Sequence, residues 1–554
     1  MNNKDLSKNK LAILILAGKV KLQNYNFQLH EYLFNIGNSL TFERILKKLD
    51  LNSNHNIYLV VPKLDDKFIK FVPFRCVNFI EVGETNSILE SISVALKKLS
   101  EKKIKIIPIT TIPDLSKIEE KTCYFGSKLI PKENWSAIEK ISNLDFNFLH
   151  KADKNSYGTL SYPCTGRLVA EKLHLEESIA LIEDQNKSDI IYLFEILIRK
   201  YKYKIIFEEW FDVGHEATYI DSRLSAITSR FFNNIYFQES TDSIIKYSED
   251  TKKLGGEILY YQNLPKRLKK LFPYVFTEYK SDEDNKSIEM EFIPFPNLAE
   301  IFLFKRIGPN AWIRIISSIT KVYNAFYKEE EYKIKSNASW LYSSKLFERF
   351  QQTKIYIEKS NNETLKILLN EGIIVNNKFQ VESLFDLFDK LNYFLLKYES
   401  SIEQFLGHGD LCFNNILVDQ LSGSVKLIDP KAYLNKKDHF LGLIDPNYDL
   451  AKINHSCKYL YDSVVNNLYY IQVNKNEVDI SIYAPLEYDL VNKLFNQYLI
   501  KKNLDQNTLR FLTASLFMSM LPLHIDDENR MICFAILGSI AMHNFDFDKL
   551  IVQV

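Results

Sequence analysis

The sequence predicts a doubly wound α/β domain followed by an α+β domain of two lobes. Three observations carry this. The first 235 residues alternate short apolar runs with amphipathic stretches. Residues 236–300 read as antiparallel strands around one helix. From 301 onward long helical stretches dominate, interrupted by one strand–turn–strand. At 554 residues the chain is longer than the about 250–300 residues at which a single core stops growing. The expected divisions are therefore 1–235, a sheet lobe at 236–300 and a helical lobe at 301–554.

Leu11–Ala17 is a continuous apolar run of strand length. Lys4, Lys8 and Lys10 before it resemble the start of a secretion signal. The run is short, however, and passes directly into Gly18-Lys19, so it reads as a buried strand entering a loop, in a cytoplasmic protein. Residues 39–49 place Leu40, Ile45, Leu46 and Leu49 near one helix face, with Ser39 as cap. Ile57–Val61 predicts a second strand, 87–99 a second helix, and Ile104–Ile109 a third strand. That alternation predicts a mostly parallel sheet, whose ligands sit beyond the C-terminal strand ends. Ile235–Phe237, Ser243–Tyr247 and Ser287–Phe292 predict antiparallel strands around a helix at 250–263.

Lys and Arg total 70, as do Asp and Glu, so the net charge is zero. This gives no global electrostatic case for nucleic acid or an anionic membrane. The six cysteines form no CxxC pair, which fits reduced thiols. No run of about 18 apolar residues predicts a membrane span. Aromatics make up 13% of this neutral chain and read as core filling, not base stacking.

The strongest motif lies late. Residues 407–417 read GHGDLCFNNIL, and 425–430 read VKLIDP. His408 and Asp410 are followed by Asn415, and Asp429 ends the next apolar strand. Phosphoryl transfer needs a carboxylate for the hydroxyl proton, oxygen ligands for Mg²⁺ and a cation on the phosphates. Asp410 suits the first role; Asn415 and Asp429 suit the second. The alternative is that these residues only brace a loop.

HGDLCFNN followed by LIDP resembles the catalytic segment of aminoglycoside phosphotransferases and choline/ethanolamine kinases. The resemblance implies a kinase-like domain using ATP and Mg²⁺, with His408 beside the catalytic Asp410. It implies Lys246 on the phosphates, Glu257 as that lysine's partner, and Met290-Glu291-Phe292 as a hinge whose backbone meets adenine. Residues 237–243 (FQESTDS) lack the family's glycine-rich loop. Only about twenty residues separate Asp429 from Asp449, which leaves little room for peptide docking and favours a small-molecule acceptor. Asp449, in NYDLAK, reads as a brace for the catalytic loop.

LILAGK (Leu14–Lys19) and GNSLTFERIL (Gly37–Leu46) resemble the start of sugar-phosphate nucleotidyltransferases, which implies a GT-A-like domain. By that resemblance Gly18 and Lys19 would cradle nucleotide phosphates. Asp212, in EEWFDVGHEATY, would bind metal with His215 beside it; capping of the following segment is the other reading of Asp212. The family's usual second glycine and arginine are absent after Gly18, and TTIPD (Thr110–Asp114) carries its carboxylate late. Gly166 and Arg167 would line the same pocket or serve plain loop roles. Fusions of two such domains resemble bacterial surface-polysaccharide (capsule) enzymes handling groups such as phosphocholine.

The expected function is thus phosphotransfer from ATP to a hydroxyl of an amino alcohol or sugar. The fused nucleotidyltransferase-like domain would use CTP or another nucleoside triphosphate. The alternative is a non-catalytic nucleotide- or sugar-binding scaffold. The oligomeric state is not legible in the sequence.

Overall fold

A computed structural model of the chain describes residues 10–18, 34–37, 39–49, 55–113, 120–133, 135–142, 145–185, 187–215, 218, 222, 229–230, 233–238, 240–278, 286–327, 333–432, 442–500 and 504–553. The chain divides into two compact units, residues 1–69 with 73–226 and residues 70–72 with 227–554.

The first unit is built on a ten-stranded mixed sheet. Leu11–Leu16 (β1), His55–Val61 (β2), Asn78–Glu81 (β3) and Lys103–Pro108 (β4) run parallel in the order β3-β2-β1-β4. Apart from its first residue β1 is wholly buried, which explains its unbroken apolar run: a central parallel strand is covered on both faces. Helix Thr41–Lys48 (α1) has no side-chain cap. Ser39, the expected cap, lies instead in a short hairpin that pairs Asn35–Ile36 with Ser39–Leu40. Phe34 O receives both the N–H and the hydroxyl of Thr41 and starts the helix in its place. Ser87 does cap Ile88–Lys97 (α2), accepting the Glu90 N–H at 3.1 Å.

The sheet then changes direction. Thr111–Pro113 (β5), Thr122–Gly126 (β6), Ala137–Lys140 (β7) and Phe146–Leu149 (β8) precede the long strand Leu160–Glu171 (β9), which is antiparallel to β4. Gly166 and Arg167, expected in a pocket or a loop, lie in β9, which also contains Pro163. A register shift between Cys164 and Leu168, with Gly166 at φ +71°, accommodates the glycine. Lys172–Glu183 (α3) and Ile190–Arg199 (α4) join α2 over a core containing Leu14, Ile92, Ile106, Leu168, Ile179 and Phe194. Lys204–Glu208 (β10) pairs in parallel with β6, and Trp210–Asp212 (β11) is antiparallel to β5.

In the second unit, Asn233–Gln238 (β12), Ser243–Tyr247 (β13) and Ser287–Glu291 (β14) are sequential antiparallel neighbours. Thr251–Asn263 (α5) begins at Asp250, which accepts the Lys253 N–H. The helices of the later part include Pro309–Phe326 (α6), Ser343–Lys359 (α7) and Leu384–Tyr398 (α8). Ile416–Val418 (β15) and Val425–Leu427 (β16) form the expected hairpin. Pro446–Cys457 (α9), Gln506–Met520 (α10) and Glu528–His543 (α11) follow. The region also holds a five-stranded sheet that includes Tyr469–Asn474 and Glu477–Ala484, so it is less purely helical than expected. No helix among the described residues is long and apolar enough to cross a membrane.

Candidate functional site

Four segments of the second unit meet around two aspartates, Asp410 and Asp429. Strand β13 presents Lys246, helix α5 presents Glu257, and the segment after β16 presents Asp429. Lys246 Nζ lies 2.8 Å from Glu257 Oε2 and 3.0 Å from Asp429 Oδ1. Burial pulls the Lys246 ammonium down, but Glu257 and Asp429 outweigh it and hold it above its ordinary value. Lys431 Nζ, at 2.6 Å, is the second cation on Asp429 Oδ1. Burial pushes the Asp429 carboxyl up; Lys431 and Lys246 overcome this and hold it well below the usual carboxylate range. Asp429 sits at φ +57°, a region costly for a residue with Cβ and frequent at functional sites.

The fourth segment is the loop between His408 and Asn415. Its shape is set from α9. Asp449 accepts the N–H groups of His408 and Gly409, each at 2.9 Å. The expected bracing role of Asp449 matches this geometry. Gly409 has φ +82°, and a Cβ there would stand 2.5 Å from the Ala432 nitrogen. His408 O accepts from Lys431 and Ala432, which ties the loop to the segment carrying Asp429. Asn415 donates from Nδ2 to Asp410 O at 2.9 Å, and Asn415 O accepts from Ile428 at the end of the hairpin.

His408 requires a correction. Its ring is fully buried and engaged on both nitrogens by backbone. Nδ1 accepts the Asp410 N–H at 3.2 Å, so Nε2 carries the hydrogen and donates to Ile428 O at 3.0 Å. Burial pulls its pKa down to about 4. A neutral ring with both nitrogens occupied braces the loop; it does not exchange protons with a substrate.

Asp410 is partly exposed, and Lys452 Nζ lies 2.9 Å from its Oδ1. Burial pushes the Asp410 carboxyl up, but Lys452 prevails and holds it below its ordinary value. Sequence reasoning did not single out Lys431 or Lys452. Lys452 stands one helical turn after Asp449, a spacing readable as a same-side neighbour, whereas Lys431 follows Asp429 in irregular backbone that spacing does not predict.

Glu291 is not brought to this cluster. Its N–H donates to Tyr274 O, and its carboxylate accepts the Tyr274 N–H. The Phe292 N–H donates to Asp242 O. These two amide hydrogens of the expected hinge are thus paired with neighbouring backbone.

In the first unit, Gly18 is exposed just past β1, and Lys19 lies outside the described residues. Asp212 is buried beside Thr111 and accepts from the Gly214 N–H, His215 Nδ1 and the Thr218 hydroxyl. Its carboxylate thus helps to organise its own loop. Arg167 is fully buried, ion-paired with Glu208 and stacked 3.9 Å over Tyr124, so it belongs to the core. Lys105 is buried near this pair. No group of three or more His, Cys, Asp or Glu side chains among the described residues has metal-binding geometry. Asn415 and Asp429 offer an amide and a carboxylate, which suit Mg²⁺.

No family model matches the chain, and no curated protein matches it. Solved structures align with about two-fifths of it. HddC from Yersinia pseudotuberculosis is 15% identical, with 39% of this chain and 99% of that one covered and a TM-score of 0.30. A nucleoside-diphosphate-sugar pyrophosphorylase from Vibrio cholerae RC9 is 14% identical, with 38% and 99% covered and a TM-score of 0.31. A 4-diphosphocytidyl-2C-methyl-D-erythritol synthase from Anaerococcus prevotii is 13% identical, with 41% and 100% covered and a TM-score of 0.30.

Proposed function

We propose that the second unit is a kinase-like phosphotransferase that moves the γ-phosphoryl group of ATP to a hydroxyl of a small molecule, an amino alcohol or a sugar. The observation that carries this reading is the grouping of Lys246, Glu257 and Asp429 beside the loop of Asp410 and Asn415. In this reading Asp410 orients the acceptor hydroxyl and takes its proton as the oxygen attacks phosphorus and the bond to ADP breaks. Lys246, held by Glu257, grips the phosphates. Asn415 and Asp429 would hold Mg²⁺, which supplies charge neutralisation on the phosphates when bound. The first unit, by its motifs, would bind a sugar phosphate or CTP or another nucleoside triphosphate. Surface-polysaccharide synthesis is the setting that the motif resemblance suggests.

Asp410→Asn tests the reading. Phosphate transfer from ATP to a panel of amino alcohols and sugars should fall about 10²–10⁴-fold, the usual worth of a general base. An undiminished rate would overturn it. The second reading is a binding scaffold, favoured by the two ammonium groups on Asp429 Oδ1 and by the paired amides of Glu291 and Phe292. The transfer assay separates the two: the scaffold reading expects Mg-ATP or Mg-CTP to bind, read by calorimetry, while no phosphate reaches any acceptor.

A further inference from the structure

We propose that Lys452 is a positioning residue of the phosphotransfer site, holding the Asp410 carboxylate so that one oxygen faces the acceptor; this rests on the phosphotransferase reading above. Between Asp410 and Asn415 the loop reads Leu411, Cys412, Phe413 and Asn414, and so carries no cation of its own. Cys412 and Phe413 are buried, so that stretch turns its side chains into the core. The cation comes instead from helix α9. Lys452 lies three residues after Asp449, on the same helix face. One helix thus holds the loop twice. Asp449 fixes its backbone through the N–H groups of His408 and Gly409. Lys452 fixes the one carboxylate that the loop offers, through Oδ1 at 2.9 Å.

The ammonium is mostly withdrawn from water, with a side-chain exposure of 13% against 23% for Asp410. A pair this buried is costly to desolvate and holds its geometry more firmly than a solvated one. With Oδ1 held by Lys452, Oδ2 is the oxygen placed to receive the hydroxyl proton. A carboxylate free to rotate would spend part of its time with neither oxygen aligned, and transfer rates fall steeply with such misplacement. Lys246 and Lys431 lie on Asp429, so neither duplicates this contact.

The test is a double-mutant cycle on the full chain with ATP, Mg²⁺ and the best acceptor of the panel. Lys452→Met should lower kcat at least tenfold. KM for ATP and the calorimetric Kd for Mg-ATP should stay within twofold of the parent, measured at a temperature where every variant is folded, because removing one partner of a buried pair lowers Tm. Lys452→Arg should recover most of the lost kcat. Added to Asp410→Asn, Lys452→Met should cost less than twofold more, because the lysine acts through that carboxylate. Parental kcat in Lys452→Met, or full additivity in the double variant, overturns the proposal. If Lys452→Met does not fold, the cycle runs with Lys452→Gln. Parental kcat in Asp410→Asn defeats the phosphotransferase reading itself, a different outcome from parental kcat in Lys452→Met alone.

Discussion

Lys246 and Asp429 are 183 positions apart in the chain, and their Nζ and Oδ1 atoms stand 3.0 Å from each other. The same ammonium reaches Glu257, whose side chain is almost wholly buried. One lysine therefore ties a strand, a helix and the end of the β15–β16 hairpin together.

Removing that lysine strands a buried carboxylate. Lys246→Met should cost about 3–5 kcal/mol of stability, read from denaturant midpoints. The companion change Glu257→Leu should return most of it, while Mg-ATP affinity stays down about 10–100-fold in both variants. Parental affinity in the single variant would remove Lys246 from the phosphate site.

Asp449 serves two backbone N–H groups, those of His408 and Gly409. Asp449→Ala should lose about 4 kcal/mol, since buried donors left unpaired cost about 1–3 kcal/mol each. A loss under about 1 kcal/mol would show that water replaces the carboxylate.

Gly409→Ala meets two obstacles at once: a φ of +82° and backbone 2.5 Å from the new methyl group. The expected cost is about 3 kcal/mol. Because the displaced loop carries Asp410, phosphate transfer should fall further than Tm alone implies. Parental activity at parental Tm would contradict the described loop.

Lys105 is fully buried, and among the described residues no acceptor lies within hydrogen-bond distance of its Nζ. Burial, helped by Arg167, pulls its pKa down to about 7. A lysine depressed in the fold costs stability progressively as pH falls from about 10.5 toward about 7. Lys105→Met should therefore stabilise the protein at pH 7 by about 3 kcal/mol, with the gain shrinking as pH approaches 10. A destabilised variant at pH 7 would refute this.

His408 and His524 are held near pKa 4 and His455 near 3, in each case by burial. Their folded values lie below the ordinary 6.5, so the stability they contribute is present above pH 6.5 and drains away as pH falls through about 4. His455→Phe keeps the stacking against Tyr461 and removes one proton site. Its Tm should fall less between pH 7 and 4 than that of the parent, and parallel curves would exclude the contribution.

The parts of the fold that were legible are those whose signal is local. β1 declared itself by an unbroken apolar run, α2 by its amphipathic face, and the β15–β16 hairpin by the turn at Ser422-Gly423. β9 was not read as a strand: Gly166 interrupts its apolar pattern, and the pairing of β9 with β4 and β6 absorbs it. Ser39 had the right chemistry for a cap but was taken by a hairpin. Among site residues, the oxygen-bearing set of Asp410, Asn415 and Asp429 was visible from residue type and spacing.

The sequence by itself determined which side chains are available for chemistry and which runs must be buried, because both follow from residue type and near-neighbour periodicity. The tertiary structure alone decided their use. It enclosed His408 in backbone contacts, bonded Asp212 to its own loop, paired the amides of Glu291 and Phe292, and set Lys431 and Lys452 against the two aspartates. Those outcomes depend on which distant segments share a few ångströms. Burial and Coulomb energies at that range change a side chain's role, and one-dimensional spacing does not encode them.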